Sequence, residues 1–127
     1  MKKKKKSVAK VHLTHLRLFK SDVSLVVGTY EQLKDWVREA LTEEKKSWFL
    51  PWLDRETPES TLLGRTYNLR GGGSVIWLSK YDEPTFVHEL VHAVGNLFEE
   101  KGMSLSRETE ETYAYLIQDL HNQLRMH

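Results

Sequence analysis

The start of the chain has the hydrophobic pattern of short β-strands. Residues 11–19 and 23–27 are rich in β-branched and aliphatic side chains, and Lys20, Ser21 and Asp22 separate the two runs. Runs of this kind with a few polar residues between them predict two strands. We expect these strands to pair as a hairpin.

A helical period comes next. Thr29 and Gln32 have the spacing of a capping box, and apolar residues then recur every three or four positions, as in an amphipathic helix packed on a sheet. In residues 45–60 this period is lost, although aromatic residues crowd together there. We expect an ordered loop in that stretch, which packs on the core or forms a wall of a substrate cleft.

Two further strands are predicted at residues 61–69 and 74–79, joined through the glycine run at positions 71–73. Glycines suit the positive φ angles of a tight turn. The second strand follows the glycines directly, whereas a phosphate-binding loop would lead into a helix. The run is therefore interpreted as a hairpin turn.

Two helices complete the pattern. Asp82 or Glu83 can cap the first, Pro84 fits its first turn, and Gly102 is its stop signal. Its predicted buried face consists of Phe86, Val87, Leu90, Val91, Val94, Leu97 and Phe98.

The last helix is predicted to begin at Ser106, which can act as its cap. Its apolar stripe consists of Tyr113, Ile117, Leu120 and Leu124. The order of strands, helix, strands, helix and helix predicts an α+β fold.

Length and composition indicate a single globular domain and limit the types of metal ligand it can use. A chain of 127 residues with 39% hydrophobic residues has the size of one domain, and it has no apolar run of the ~20 residues that span a bilayer. Its start does not resemble a signal peptide, because charged residues interrupt the stretch after the first lysines. We expect a cytoplasmic protein. Because the sequence has no cysteine, any metal must be held by imidazole and carboxylate groups.

The charge is unevenly distributed along the chain. Positions 2–6 are five lysines, and without them the net charge falls from +1 to −4. We expect residues 1–10 to form a disordered basic tail and residues 11–127 to form the folded domain. Such a tail could make weak contacts with nucleic acid or another acidic surface.

Residues 88–92 carry the candidate chemistry, with the sequence His-Glu-Leu-Val-His. On a helix, His88 and His92 share one face and lie one turn apart, so both imidazoles can bind one zinc ion. Glu89 lies about 100° around the helix, where it can act on a water as general base. Gly95 is on the metal-facing side and would allow another element to approach closely.

A catalytic zinc ion usually has three protein ligands, so a third must come from elsewhere. If the chain turns back after Gly102, it brings Glu108, Glu110 and Glu111 within reach. The residues alone leave the choice among these three open. His12 and His15 are three apart on a predicted strand and point to opposite faces, so we do not expect them to be ligands.

A resemblance to a known family points to one of the three glutamates. The motif from His88 to His92, eighteen further residues and then Glu111 resembles the zinc signature of gluzincin metallopeptidases, which include zinc aminopeptidases and thermolysin-like enzymes. The stretch from His88 to Gly102 and residues 111–116 are also similar to small metallopeptidase-like proteins of bacteriophages and prophages. The resemblance implies His88, His92 and Glu111 as zinc ligands and Glu89 as the base.

The same resemblance implies a minimal zincin-like fold, in which a small twisted sheet supports an active-site helix and a ligand-bearing helix follows. The implied activity is zinc-dependent hydrolysis of a peptide bond in a peptide or protein substrate. The Gly-Ala-Met-Glu-Asn exopeptidase signature is absent, so aminopeptidase activity is not implied. Tyr115 stands where thermolysin-like proteins often have an aspartate, and it is the second expected catalytic residue. Arg65 and Tyr67 are further candidates for stabilising an oxyanion.

Two alternatives remain at this point. One is a regulatory peptidase that cleaves a repressor or an antitoxin. The other is a phage structural, assembly or host-directed binding protein that uses zinc only for stability. Glu89 favours chemistry, because a purely structural site does not need it.

Overall fold

The computed structural model describes residues 7–56, 61–69 and 73–127. In these residues the chain forms an α+β fold with four strands and four helices. In chain order the elements are β1 (Lys10–Leu16), β2 (Ser21–Val27), α1 (Tyr30–Ala40), α2 (Glu43–Arg55), β3 (Gly64–Asn68), β4 (Ser74–Leu78), α3 (Glu83–Glu100) and α4 (Glu110–Leu124).

The four strands form one sheet in the order β1-β2-β4-β3. Both predicted hairpins are present, because β1 pairs antiparallel with β2 and β3 pairs antiparallel with β4. The central strands β2 and β4 are parallel, and Val27 lies opposite Leu78 at their ends. Positions 70–72 of the predicted turn lie outside the described residues. Gly73 has φ +125°, which glycine adopts without strain.

Helices cover both faces of the sheet. α1 and α2 pack on one face around a buried cluster that includes Leu33, Phe49 and Tyr67. α3 and α4 pack on the other face around a second cluster that includes Ile76, Leu90 and Leu120. The sheet thus lies between two helical layers, each with its own apolar core.

The prediction of a loop after residue 45 was wrong, because α2 occupies most of that stretch. Thr42 caps this helix by accepting a hydrogen bond from the Lys45 amide. Phe49 and Leu53 are buried and lie one helical turn apart. Other aromatic residues surround them, and Pro51 lies inside the helix, so the period was hidden in the sequence. The packing of this stretch on the core is confirmed; residues 57–60 lie outside the described part.

The predicted caps of α1 and α3 are confirmed. Thr29 and Gln32 form the capping box of α1, and Asp82 accepts a hydrogen bond from the Thr85 amide at the start of α3. α3 ends at Glu100, and Gly102 follows with φ +67°. The apolar face of α3 differs from the prediction in two places, since Val87 and Val91 are exposed on the side turned away from the sheet.

The predicted start of α4 at Ser106 was wrong. The helix begins at Glu110 with Thr109 in the cap position. The Ser106 amide donates a hydrogen bond to the Thr109 hydroxyl, so Ser106 belongs to the preceding turn. The predicted apolar stripe of α4 is confirmed, because Leu120 and Leu124 are buried and the other two members are partly buried.

At the start of the described chain, Lys10 opens β1. Before it, the Ser7 hydroxyl accepts a hydrogen bond of 2.9 Å from the Gln32 side chain. Residues 1–6 lie outside the described part, so the extent of the basic tail stays a prediction. Within the described residues, no helix is both long enough and apolar enough to cross a membrane.

Candidate metal centre

The rotation of α3 about its axis is fixed by its buried residues. Phe86, Leu90 and Val94 face the sheet and are fully buried. His88 and His92 lie on the side of the helix turned away from the sheet and are exposed. Both imidazoles therefore share one face of the helix, as predicted, and that face is exposed.

The two imidazoles converge. The Nε2 atoms of His88 and His92 lie 3.3 Å apart, and the ring planes meet at 73°. In a tetrahedral zinc site with Zn–N bonds of about 2.0–2.1 Å, two nitrogen ligands are about 3.3–3.4 Å apart. The pair thus has the spacing of two zinc ligands, and this spacing also permits an N–H···N hydrogen bond between the rings.

Glu89 lies between the two histidines in sequence, but its side chain points toward β3. It is 5% exposed, and its Oε1 accepts a hydrogen bond of 3.0 Å from the Thr66 hydroxyl on β3. The same hydroxyl lies 3.0 Å from the Glu89 carbonyl oxygen, and its single proton is shared between the two acceptors. Burial of a carboxylate is costly unless it is hydrogen-bonded, and the Thr66 hydroxyl supplies a hydrogen bond here.

The alternation of side chains along β3 decides which residues can reach this site. Thr66 faces α3, whereas Tyr67 faces α2 and is buried with its ring centroid 5.3 Å from those of Phe49 and Trp52. Burial raises the pKa of the Tyr67 hydroxyl. Tyr67 is therefore wrong as an oxyanion candidate, because successive strand residues point to opposite faces.

Arg65 has the same orientation as Tyr67. Its guanidinium lies 5.9 Å from the centroid of the Tyr67 ring and 3.9 Å from the Glu56 carboxylate. These contacts hold Arg65 on the α2 side of β3. The strand therefore contributes Thr66, which the sequence analysis did not single out.

On the other side of the histidines, α4 contacts α3 through Tyr113. The Tyr113 hydroxyl donates a hydrogen bond of 2.9 Å to the Val91 carbonyl, and its ring packs edge-on against Phe98 at 4.9 Å between centroids. A Cβ atom on Gly95 would lie 3.3 Å from this hydroxyl, which confirms the close approach predicted there. Burial raises the pKa of Tyr113, so this hydroxyl remains a donor.

Glu111 and Tyr115 are both exposed on α4. Each is two residues from Tyr113, so each points about 160° away from the Tyr113 direction, whereas Glu110 lies only about 60° from it. Tyr115 is 66% exposed and lines a groove with Leu18. The roles of Glu111 as third ligand and of Tyr115 as catalytic residue stay predictions. Residues 7–56, 61–69 and 73–127 include no group of three His, Asp or Glu side chains placed to hold a metal.

Three of the other described histidines, His12, His15 and His121, have structural contacts. The Nδ1 atom of His12 lies 2.8 Å from the Leu124 carbonyl, and that of His15 lies 2.6 Å from the Asp22 carboxylate. His121 stacks on Phe86 and bonds to the Glu83 carboxylate. Hydrogen bonds from Tyr81 and from His121 lower the pKa of Glu83. The contact between His121 and Glu83 joins α4 to the first turn of α3.

The chain was compared with protein-family models, with curated proteins and with solved structures, and nothing matches it. The geometry of His88, Glu89, His92 and Thr66 is therefore the basis on which this site can be interpreted.

Proposed function

We propose that this protein is a zinc-dependent peptidase whose metal is held by His88, His92 and Glu111. The observation that carries the proposal is the 3.3 Å separation of the two Nε2 atoms on an exposed helix face, with the Glu89 carboxylate one residue along the helix. Glu111 and the reaction come from the resemblance to gluzincins. Because Tyr113 turns the other side of α4 toward α3, ligation by Glu111 would require α4 to rotate. The absence of cysteine is consistent with a site of imidazole and carboxylate ligands.

In the proposed hydrolysis each site residue has a separate role. A zinc ion held there would acidify a water molecule and polarise the scissile carbonyl. Glu89 would take the proton from the attacking water and pass it to the leaving amine. The Thr66 hydroxyl donates to one oxygen of Glu89, so it would fix the orientation of the carboxylate while the other oxygen receives the proton.

The substrate in this proposal is an extended peptide or protein segment. Among the described residues, β3 lies at the edge of the sheet, because β4 is its one neighbour in the sheet order. An extended segment can pair with such an edge strand through its main chain. Because Thr66 on β3 contacts Glu89, a peptide added to that edge would lie close to the proposed base.

The direct test is Glu89→Gln, which preserves size and hydrogen bonding but removes the base. We expect zinc content and thermal midpoint to be retained, while hydrolysis of a diverse peptide library falls by ~100-fold to 10,000-fold, as loss of a general base implies. Glu100→Gln, an exposed change on the same helix, is the matched control and should leave hydrolysis unchanged. A wild-type protein that holds zinc and cleaves nothing in the library would contradict the proposal.

A second candidate is a zinc-stabilised structural, assembly or binding protein without hydrolytic activity. The burial of Glu89 and its bond to Thr66 favour it, since a carboxylate engaged in this way can serve packing alone. In that case the removal of zinc should lower the thermal midpoint. Glu89→Gln should then match the wild type in partner binding, and no peptide should be cleaved.

A further inference from the structure

A crevice lies at the carboxyl ends of the two parallel strands. β2 and β4 end side by side at Val27 and Leu78. After β2 the chain passes to α1 on one face of the sheet, and after β4 it passes to α3 on the other face. Small ligands commonly bind in open sheets where the connections of adjacent parallel strands diverge in this way.

The crevice has the volume of a small-molecule site. It is an open groove of about 780 Å³, lined by the strand ends, by the start of β1 and by residues 126–127. β1 contributes because it is antiparallel to β2, so that Lys10 lies opposite Val27. Sites for small ligands typically occupy ~300 to 1,000 Å³.

The charge of the crevice differs from that of the rest of the domain. Its described lining includes Lys10, His12, Lys80 and His127, and no aspartate or glutamate side chain. The chain without its first lysines has a net charge of −4, so this basic lining is a local feature. An anion entering the crevice would meet positive charge that the surrounding surface lacks.

The two lysines are available to an anion. Lys10 and Lys80 are exposed, and neither has an ion pair in the described part of the chain. Lys80 also helps to lower the pKa of Asp82, but that carboxylate is primarily occupied by the hydroxyl and amide of Thr85. Lysine ammonium groups bind phosphate oxygens as point charges. His12 is oriented by the Leu124 carbonyl. Ser79 also belongs to the lining, and its hydroxyl donates a hydrogen bond of 3.3 Å to the Leu63 carbonyl.

We propose that this crevice binds a phosphate-bearing anion of about the size of a mononucleotide, held mainly by Lys10 and Lys80. The proposal is independent of the zinc site, because none of the lining residues belongs to the motif on α3. The shared chemistry is the phosphate group. Inorganic pyrophosphate and adenosine monophosphate, used as separate probes, distinguish an inorganic ligand from a nucleotide.

The test is a titration of the full-length, ¹⁵N-labelled protein with each probe at constant ionic strength. We expect saturable shifts of the Val27, Ser79 and Lys80 amide signals. Lys10→Gln combined with Lys80→Gln should weaken binding at least ~10-fold, the effect of one lost charged contact of about 1.4 kcal/mol. Lys101→Gln combined with Arg107→Gln removes the same charge at exposed positions elsewhere and should bind as the wild type does.

Circular dichroism checks that both double variants fold. If the variant changed at both Lys10 and Lys80 does not fold, Lys10→Gln and Lys80→Gln are titrated separately. The proposal is overturned if neither probe gives saturable shifts, or if the shifts centre on His88 and His92. Equal weakening by both double variants would also overturn it, because binding would then follow net charge alone. The protein could instead prefer a single-stranded oligonucleotide to both probes, with no effect of the changes at Lys10 and Lys80. That result would overturn the proposal and assign the anion contact to the lysine-rich start of the chain.

Discussion

The two helical layers use their buried positions differently. On the α1 and α2 face the rings of Phe49, Trp52 and Tyr67 lie with centroids 5.3 to 5.9 Å apart, and the buried cluster is apolar. On the α3 and α4 face, one helix combines an apolar side against the sheet with a buried carboxylate and two converging imidazoles. The first layer is explained mainly by apolar burial, although it also encloses the Tyr67 hydroxyl. The second layer places a buried, hydrogen-bonded carboxylate beside two exposed imidazoles, and the proposed metal site would explain this arrangement.

The largest effect should come from breaking the apolar layer. Phe49 is fully buried, so Phe49→Ala should lower the free energy of unfolding by about 3–5 kcal/mol, as measured by urea denaturation. Zinc binding by the folded fraction should be unchanged. Leu18→Ala is the control, because Leu18 is 95% exposed. A loss below about 1 kcal/mol for Phe49→Ala would show that this layer is not the main source of stability.

The next largest effect should be on zinc affinity, when the proposed third metal ligand on α4 is removed. Glu111→Ala should weaken zinc binding by more than the ~10-fold to 100-fold that a lost outer contact costs, and Glu110→Ala should have little effect. Competition with a chromogenic chelator measures both affinities. Different arguments support the two glutamates: the contact of Tyr113 with α3 brings Glu110 closer than Glu111 to that helix, whereas the gluzincin resemblance favours Glu111. The reverse ranking would move the site by one residue and weaken the gluzincin resemblance.

A smaller effect is expected where the sheet contacts the polar layer. Thr66→Val keeps the side-chain shape but removes the hydroxyl that bonds to Glu89. We expect a loss of about 1 kcal/mol in unfolding free energy, a fall of about 10-fold in peptide hydrolysis and unchanged zinc content. Thr14→Val is the control: it removes a hydroxyl on the opposite edge strand that bonds to Gln123. Peptide hydrolysis by this variant should equal that of the wild type. Full activity of Thr66→Val would separate Thr66 from the proposed base.

Local signals in the sequence predicted much of the fold. The capping box at Thr29, the cap at Asp82 and the stop at Gly102 are set by nearby residues, and all three are confirmed. The same is true of both hairpins. The same reasoning predicts Ser106 as the cap of α4, but the helix begins at Glu110 and the Ser106 amide donates to the Thr109 hydroxyl. Thr109, in the cap position, makes no side-chain cap hydrogen bond, and its hydroxyl donates to the Ser104 carbonyl.

The contacts that complete the site were harder to predict, because they join distant parts of the chain. Thr66 meets Glu89 across 23 positions, and Tyr113 meets Val91 across 22 positions. Strict alternation along β3 could have identified Thr66 and removed Tyr67. The helical period predicts Tyr113 only as an apolar stripe residue, and Gly95 is the sequence signal for a close approach to α3. The rotation of α4 depends on packing, and so the sequence could not rank Glu110 and Glu111 by geometry.

The central claim, that His88 and His92 hold a zinc ion, is tested most directly by the metal content of the purified protein. Inductively coupled plasma mass spectrometry should find about one zinc per chain in the wild type and in Glu89→Gln, and almost none in His92→Ala, because a site left with one imidazole loses its affinity. His15→Ala, which removes an exposed histidine on β1, should retain the metal. Full zinc content in His92→Ala, or a wild-type protein that holds no zinc even after zinc is supplied, would contradict the account.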